Sequence, residues 1–367
     1  MREDSLSITE EIQKYIDSND DANFNNLALK LFRYQFQHNQ PYKKFCQARK
    51  KTPLTVDHWS QIPPMPIQGY KELILSCEPI EEVEAVFMTS GTTNPEARGK
   101  NYHPVLSVWD ASMKGPFKQY VLPDREKMTI FVLSPAVDMN QNSSLSRYLS
   151  NAVTFFGTEN SGFFFDENGL KMDELVDELK KCEERQDPVL LMGATFAYVH
   201  LLDNLRENEI YFQLPDESRI FDTGGFKGQS REVEMEQLYA SFQTSFNISR
   251  HQCINMYGMT ELSSQIYDQT IISHYLNDTL IFDKKGPAWV KTVVLNTDTL
   301  EPVRDGEAGV LAHFDLANWN SCLAILTEDI GYKTEHGFVL LGRVKGSEAR
   351  GCSIAVDQLL QSNLGGA

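Results

Sequence analysis

Two short runs constrain the fold of this chain more than any other feature. Residues 189–193 (VLLMG) and 219–225 (RIFDTGG) are apolar, strand-length, and end in small residues. Continuous apolar runs of that length suit strands buried on both faces, as in a parallel sheet covered by helices. Between and around them lie helical patterns. In residues 171–185 (KMDELVDELKKCEER), Met172, Leu175, Val176 and Leu179 share one face, with i,i+4 charge partners outside. Residues 128–135 (MTIFVLSP) form another β-rich run ended by proline, and SREVEMEQLYASFQ opens a helix behind a cap at Ser230. The alternation predicts an α/β fold whose ligands gather at the C-terminal edge of a parallel sheet.

The flanks differ from this middle. Residues 5–50 carry apolar positions such as Leu27, Leu31 and Tyr34 at helical spacing, and residues 53–66 turn proline-rich, which favours an extended connector. Beyond residue 286, hairpin alternation with Asp-Gly turn chemistry predicts a small antiparallel β-layer, ending in a last strand at 337–344. The expected division is a helical segment and connector (1–83), an α/β core (84–286), a β-rich subdomain (287–343) and a short tail (344–367). No internal repeat or low-complexity block interrupts it.

Charge narrows the partners. Against 51 Asp+Glu stand 34 Lys+Arg, a net charge of -17, which disfavours general binding to nucleic acid or anionic membrane surface. A local basic pocket for one small anion stays open. The acidic N-terminus lacks the apolar core of a secretory signal, and residues 189–202 are too short and polar to span a bilayer. Cysteines 46, 77, 182, 253, 322 and 352 form no CxxC pair and no metal-ligand spacing, so they read as reduced thiols of a cytoplasmic protein.

Five motifs can carry chemistry. Thr89, Ser90, Gly91, Thr92 and Thr93 follow an apolar run; such a small-residue turn lets N–H groups and hydroxyls converge on a phosphate. The Walker A spacing is absent, and taken alone the motif also fits a polar hairpin turn. Tyr257-Gly258-Met259-Thr260-Glu261 offers an aromatic beside a glycine for a purine, then a hydroxyl and a carboxylate for phosphate and Mg2+. Thr327-Glu328-Asp329-Ile330-Gly331 puts carboxylates before a glycine turn, suited to ribose hydroxyls. Gly342-Arg343 sets a cation at a strand end, and Asp222-Thr223-Gly224-Gly225 lets a base lie flat on the backbone. His103 lies close behind the first motif and could polarise a carboxylate; His200, on an apolar helix, reads as a core residue.

Taken together in this order, these motifs resemble the adenylate-forming superfamily of acyl-CoA synthetases, peptide-synthetase adenylation domains and firefly luciferase, over residues 84–343. The resemblance implies activation of a carboxylic acid by ATP and Mg2+ as acyl-AMP, with release of pyrophosphate. It implies that residues 89–93 hold the triphosphate, that Gly224 and Gly225 line the adenine, and that Tyr257 stacks on it next to Gly258. Thr260 would then contact phosphate, Glu261 bind Mg2+ and Asp329 hold the ribose, with Arg343 at the end of the matched region.

Two departures stand out. Where the superfamily loop continues with glycine and then Pro-Lys, this chain has Asn94-Pro95-Glu96-Ala97-Arg98, leaving Arg98 or Lys100 as substitutes. Only 24 residues follow Arg343, so the superfamily's C-terminal lid domain is not expected. The segments IPPMPIQGYKE (62–72), LSP…NSSLSRY (133–148), LLMGATFAYVHLL (190–202) and DTGGFKG (222–228) resemble the acyl-protein synthetase (LuxE) family of bacterial fatty acid reductase systems, as does the tail Ala349-Arg350-Gly351-Cys352-Ser353. That family resemblance implies a long-chain fatty acid substrate, an acyl thioester on Cys352, and transfer to an acyl reductase partner. The chemistry suits a thiolate, a strong nucleophile facing AMP as leaving group, and Arg350 nearby favours the ionised form. Two rivals share the motifs: an enzyme that adenylates an aromatic or specialised acid for direct transfer, and a non-catalytic subunit of the same fold.

Overall fold

The structure is a computed structural model and describes residues 1–18, 22–90, 98–224, 230–277 and 279–343. In chain order its elements begin with α1 (Glu3–Ser18), α2 (Phe24–His38), α3 (Gln40–Ala48), β1 (Met65–Pro66), α4 (Gly69–Glu72), β2 (Ala85–Met88), β3 (Lys100–His103), α5 (Ser107–Tyr120) and β4 (Thr129–Val132). Next come α6 (Ser144–Phe156), β5 (Gly162–Phe163), β6 (Phe165–Asp166), β7 (Gly169–Leu170), α7 (Met172–Arg185), β8 (Val189–Ala194), α8 (Thr195–Glu207), β9 (Arg219–Thr223) and α9 (Met235–Phe246). The rest are β10 (Cys253–Tyr257), β11 (Ile266–Tyr267), α10 (Thr270–Asn277), β12 (Val290–Leu295), β13 (Ala308–Asp315), β14 (Ala324–Lys333) and β15 (Phe338–Arg343). Among the described residues, no helix is long and apolar enough to cross a membrane.

The chain divides into two compact units. One comprises Met1–Gly115, Met259–Gln265 and the described residues from Asp283 onward; the other comprises Pro116–Gly258 and Ile266–Phe282.

The second unit holds the parallel sheet, in the order β11-β10-β9-β8-β4-β5, with only the β10–β11 pairing antiparallel. Every residue of β8 and β9 is buried, the condition that selects continuous apolar strands. Helix α7 packs Leu175, Val176, Leu179 and Cys182 into the core that also takes Val189 and Leu191 of β8. Asp173 and Glu174 in its first turn and Arg185 in its last complement the helix dipole. Helix α9 starts at Met235, behind Glu234, so Ser230 is not its cap. The Ser230 hydroxyl instead donates to the Arg231 carbonyl at 3.0 Å, while the Arg231 guanidinium is drawn off to Asp203 at 2.8 Å. His200 of α8 is exposed, not in the core.

The first unit is built on an antiparallel layer, β14-β13-β12. One edge of β14 is shared: β1 pairs parallel with Ile325 and Leu326, and β15 pairs antiparallel with Asp329 to Lys333. Helices α1 and α2 bury Ile8, Ile12, Ile16, Leu27, Leu31 and Phe32. The Gln35 side chain ties α2 to the β13–β14 connection, donating to the Asn318 carbonyl at 2.7 Å and accepting from the Leu323 N–H at 3.0 Å. The expected combination of parallel α/β sheet and antiparallel β-layer is therefore present.

Candidate functional site

In the first unit, β2 and β3 form a hairpin with Met88 opposite Lys100. Its loop closes at the base through Thr89 N–H to the Gly99 carbonyl (2.9 Å) and Gly99 N–H to the Thr89 hydroxyl (3.0 Å). Ser90 is exposed beyond this closure; Gly91, Thr92 and Thr93 lie outside the described residues. Gly99 is buried at a crowded point. A Cβ placed there would lie 3.1 Å from the Thr89 methyl, 3.5 Å from Oε1 of Glu261 and 3.6 Å from Cγ of Lys71. Glycine lets these three side chains meet over one backbone atom.

Glu261 comes to that point on the segment Met259–Gln265, which is held by buried polar groups rather than by regular structure. The Asn101 amide donates to the carbonyls of Thr260 (3.0 Å) and Glu261 (3.3 Å), and the Asn318 amide also donates to the Glu261 carbonyl (2.8 Å). Asp315, fully buried, accepts from the N–H groups of Ser263 (3.1 Å), Ser264 (2.8 Å) and Ala317 (2.9 Å), and from the Ser264 hydroxyl (2.8 Å). Burial pushes the Asp315 carboxyl up to about 6, against the pull of those donors.

The Glu261 side chain is buried and its carboxyl is pushed up to about 7. Burial is the main cause and Asp329 adds to it, while Arg343 and Lys71 oppose it. Thr260, beside it, is half-buried.

Asp329 and Arg343 are brought together by strand register. They are Cα partners across β14 and β15, and Arg343 Nε donates to Asp329 Oδ1 at 2.9 Å. The register slips after Ile330, which pairs with Gly342 while Gly331 pairs with Leu340. Gly342 has φ +134°, a region that suits glycine, so the strand keeps its end residue on the Asp329 side of this bulge. The Asp329 side chain is 8% exposed and that of Arg343 62%, which leaves the guanidinium open to an incoming anion. Behind Asp329, burial holds the His313 imidazole down at about 4, with Asp329 drawing it partly back.

Thus the first unit gathers Thr89, Glu261, Asp329 and Arg343, and adds Lys71, Asn101, Asp315 and Asn318, which the motifs did not mark. A trace of the last two is legible: HFDLANWN sets polar residues at close spacing inside an apolar stretch. His103 is buried on β3 with its ring 4.8 Å from Phe87, an aromatic packing position.

In the second unit, Gly224 and Tyr257-Gly258 occupy the C-terminal ends of β9 and β10, neighbouring parallel strands. Gly224 is exposed with φ +76°, and the Tyr257 side chain is buried. Asp222 locks this pair of strand ends, accepting from Thr195 Oγ1 (2.8 Å) and Asn255 Nδ2 (2.9 Å). Gly225 and Cys352 lie outside the described residues.

Chemically, the first unit offers a buried carboxylate suited to a hard cation, a second carboxylate held by a guanidinium, and an exposed ammonium. Among the described residues no three or more His, Cys, Asp or Glu side chains gather to hold a metal. Glu261 alone fits Mg2+, which keeps its waters and takes one or two carboxylates plus phosphate oxygens.

A family model described as acyl-protein synthetase, LuxE, matches residues 4–361. A long-chain-fatty-acid–luciferin-component ligase of Aliivibrio fischeri is 24% identical over 358 residues, covering 92% of this chain and 89% of that one. Among solved structures, 2-hydroxyisobutyryl-CoA ligase in complex with 2-HIB-AMP and CoA has a TM-score of 0.63 at 14% identity. The match covers 88% of this chain and 70% of that one, a likeness of fold. Against ATP-bound MatB from Rhodopseudomonas palustris the identity is 16% and the TM-score 0.49; 72% of this chain matches about half (49%) of that longer one. With its family model matched over nearly the whole length, this chain belongs to the LuxE family of acyl-protein synthetases.

Proposed function

We propose that this protein activates a long-chain fatty acid with ATP and passes it, through Cys352, to an acyl reductase partner in the cytoplasm. The observation that carries the reading is the convergence of Thr89, Glu261, Asp329 and Arg343 within one unit of a LuxE-family chain. In the first step a carboxylate oxygen bonds to the α-phosphorus, and the bond to the bridging oxygen breaks to release pyrophosphate. Both reactants are already ionised, so positioning and charge neutralisation carry the rate. Residues 89–93 hold the triphosphate, Thr260 contacts phosphate, Asp329 takes the ribose hydroxyls and Arg343 supplies positive charge. Gly224 and Gly225 line the adenine, and Tyr257 stacks on it beside Gly258. Glu261 would hold Mg2+, which would supply positive charge to the phosphates when bound.

In the second step the Cys352 thiolate attacks the acyl carbon and AMP leaves, after the thiol proton has passed to solvent. The other cysteines support this assignment by their unfitness. Cys46, Cys77, Cys182, Cys253 and Cys322 are all buried. Burial pushes Cys182 up to about 11 and Cys46 to about 12, far from a reactive thiolate. We assign the tail 344–367 to this acyl-carrying role and residues 84–343 to adenylation.

The test is the intact mass of wild type and Cys352→Ser after incubation with Mg-ATP and a panel of fatty and aromatic acids. A hydroxylamine-labile acyl adduct on wild type only, strongest with long fatty chains, is the expected result. Acid-dependent pyrophosphate release by both proteins without any adduct would overturn the cysteine step and favour direct transfer of the adenylate.

A further inference from the structure

The reaction proposed above brings a polyanion of about four charges to a site whose visible cation, Arg343, is already paired with Asp329. With Glu261 beside them, the described side chains at this point are not positive enough to hold a triphosphate by Arg343 and one Mg2+ alone. Arg98 and Lys100 flank Gly99 in the chain, and besides Arg343 the cation whose charge acts on Glu261 is Lys71. Its stem lies against Gly99, on the same backbone atom that Thr89 and Glu261 approach. Its ammonium charge is felt at the Glu261 carboxyl, yet the side chain is exposed and has no ion pair among the described residues.

The fold goes to some length to set Lys71 there. It sits on the one-turn helix α4, directly after β1. That strand pairs with Ile325 and Leu326 of β14, and the Ile67 N–H extends the ladder to the Leu326 carbonyl at 3.1 Å. The Gln68 amide donates to the Glu328 carboxylate, and the Tyr70 hydroxyl, fully buried, reaches the Ser321 hydroxyl at 3.3 Å. Gly69 leaves room for Met65, whose sulfur would lie 2.6 Å from a Cβ there. The strand that carries Asp329 thus also fixes the turn that carries Lys71. A freely chosen surface lysine has no need of four such constraints on its neighbours.

We propose that Lys71 is a phosphate-binding residue, whose ammonium takes an oxygen of the β,γ-diphosphate end of ATP and stays on pyrophosphate as it leaves. When the carboxylate oxygen bonds to the α-phosphorus, the electron pair of the broken bond passes to the pyrophosphate oxygen. The Lys71 ammonium offsets that added charge by hydrogen bonding to it. The inference rests on the adenylation reading, but it separates from it by experiment, because ATP carries the β,γ-phosphates and AMP does not.

Lys71→Met, Lys71→Arg and wild type are compared for binding of ATP and of AMP in the presence of Mg2+, and for acid-dependent exchange between pyrophosphate and ATP. Lys71→Met is expected to weaken ATP binding at least tenfold, leave AMP binding within twofold, and slow exchange at least thirtyfold with unchanged melting temperature. Lys71→Arg, which keeps the charge, should recover exchange to within about fivefold. ATP binding by Lys71→Met equal to wild type overturns the proposal, and so does an equal loss for ATP and AMP, which would mark a shape-keeping role. If wild type itself shows no exchange with any fatty acid, the adenylation reading fails, and the ATP-against-AMP comparison still decides Lys71.

Discussion

Strands β8 and β9 of the second unit are wholly buried, β13 of the first is nearly so and β14 is buried at six of its ten residues, yet the two pairs differ in how much polar chemistry they bury. The former bury Val189, Leu190, Leu191, Ile220 and Phe221 along their length, and β9 keeps its polar residues Arg219, Asp222 and Thr223 to its two ends. The latter and their connection bury His313, Asp315, Asn318, Thr327 and Asp329 among their apolar residues. An apolar strand is held by area removed from water, a non-directional force that tolerates small shifts. A buried polar group is tolerated only when each partner is in place, so a polar interior fixes positions at the risk of large penalties. The difference teaches where this fold keeps its precision: in the layer that carries Glu261 and Asp329.

Removing one group from each region makes the contrast measurable. Asp315→Ala leaves the N–H donors of Ser263, Ser264 and Ala317 without their carboxylate, and is expected to cost about 4 kcal/mol of unfolding free energy. Leu191→Ala opens a cavity in the apolar core and should cost about 3 kcal/mol. The two differ more in function than in stability. Per folded molecule, Leu191→Ala should adenylate as wild type, because nothing at Glu261 has moved. Asp315→Ala should lose most of its activity, because the segment that presents Glu261 has lost its clamp. Denaturant titration combined with pyrophosphate exchange, corrected for folded fraction, checks both; equal activity per folded molecule would erase the distinction.

Acid sharpens the same comparison, since burial moves His313 and Asp315 of the polar layer away from their ordinary values in opposite senses. His313 is held at about 4 in the fold against an ordinary value of 6.5. The unfolded chain therefore binds more protons between those values, and stability falls as pH drops from about 6.5 to 4. The full loss amounts to about 3 kcal/mol. Asp315 runs the other way: its carboxyl, raised to about 6 from 3.8, gives stability that grows as pH falls through that window. The wild-type curve is expected to be flatter than either contribution. His313→Gln should make the protein relatively more stable at pH 4.5 than at pH 7, and Asp315→Asn should steepen the acid loss. Parallel, unshifted curves for all three would show that neither group titrates as its burial implies.

The apolar region was also the more legible in sequence. The VLLMG and RIFDTGG runs and the one-sided face of α7 state a fold by pattern alone, because burial on both faces or one is written residue by residue. Ser230 has the local pattern of a helix cap, but α9 starts at Met235, and Arg231 between them is held by Asp203, 28 positions away in the chain. His200 reads as a core residue because its helix is apolar on average, while its own position is exposed. Within the candidate site, Glu261 and Asp329 were marked by motif, but their clamp was not. Asn101, Asp315 and Asn318 act through contacts made between distant segments, and no local spacing announces them. Lys71 belongs to the same class: its segment, residues 62–72, carries the family resemblance but marks no role for the lysine, and only the pairing of β1 with β14 tells where its turn is anchored.

The smallest expected effect tests whether the Asp329–Arg343 pair is there for stability at all. Its geometry is good, at 2.9 Å across a strand register that makes the two residues partners, but the Arg343 side chain is 62% exposed. Water and salt screen such a pair, so its coupling in a double-mutant cycle of Asp329→Asn and Arg343→Met should be below about 1 kcal/mol. Catalysis should respond on another scale. If Asp329 accepts ribose hydroxyls and Arg343 serves phosphate charge, each single variant loses far more exchange activity than stability. The double variant should then lose less than the product of the two, because the residues act on one bound nucleotide. A coupling of several kcal/mol in unfolding with unchanged exchange would reverse the assignment and make the pair a strand clasp. The exposure of Arg343 argues against that outcome: a clasp gains by excluding water, and this guanidinium is left facing it.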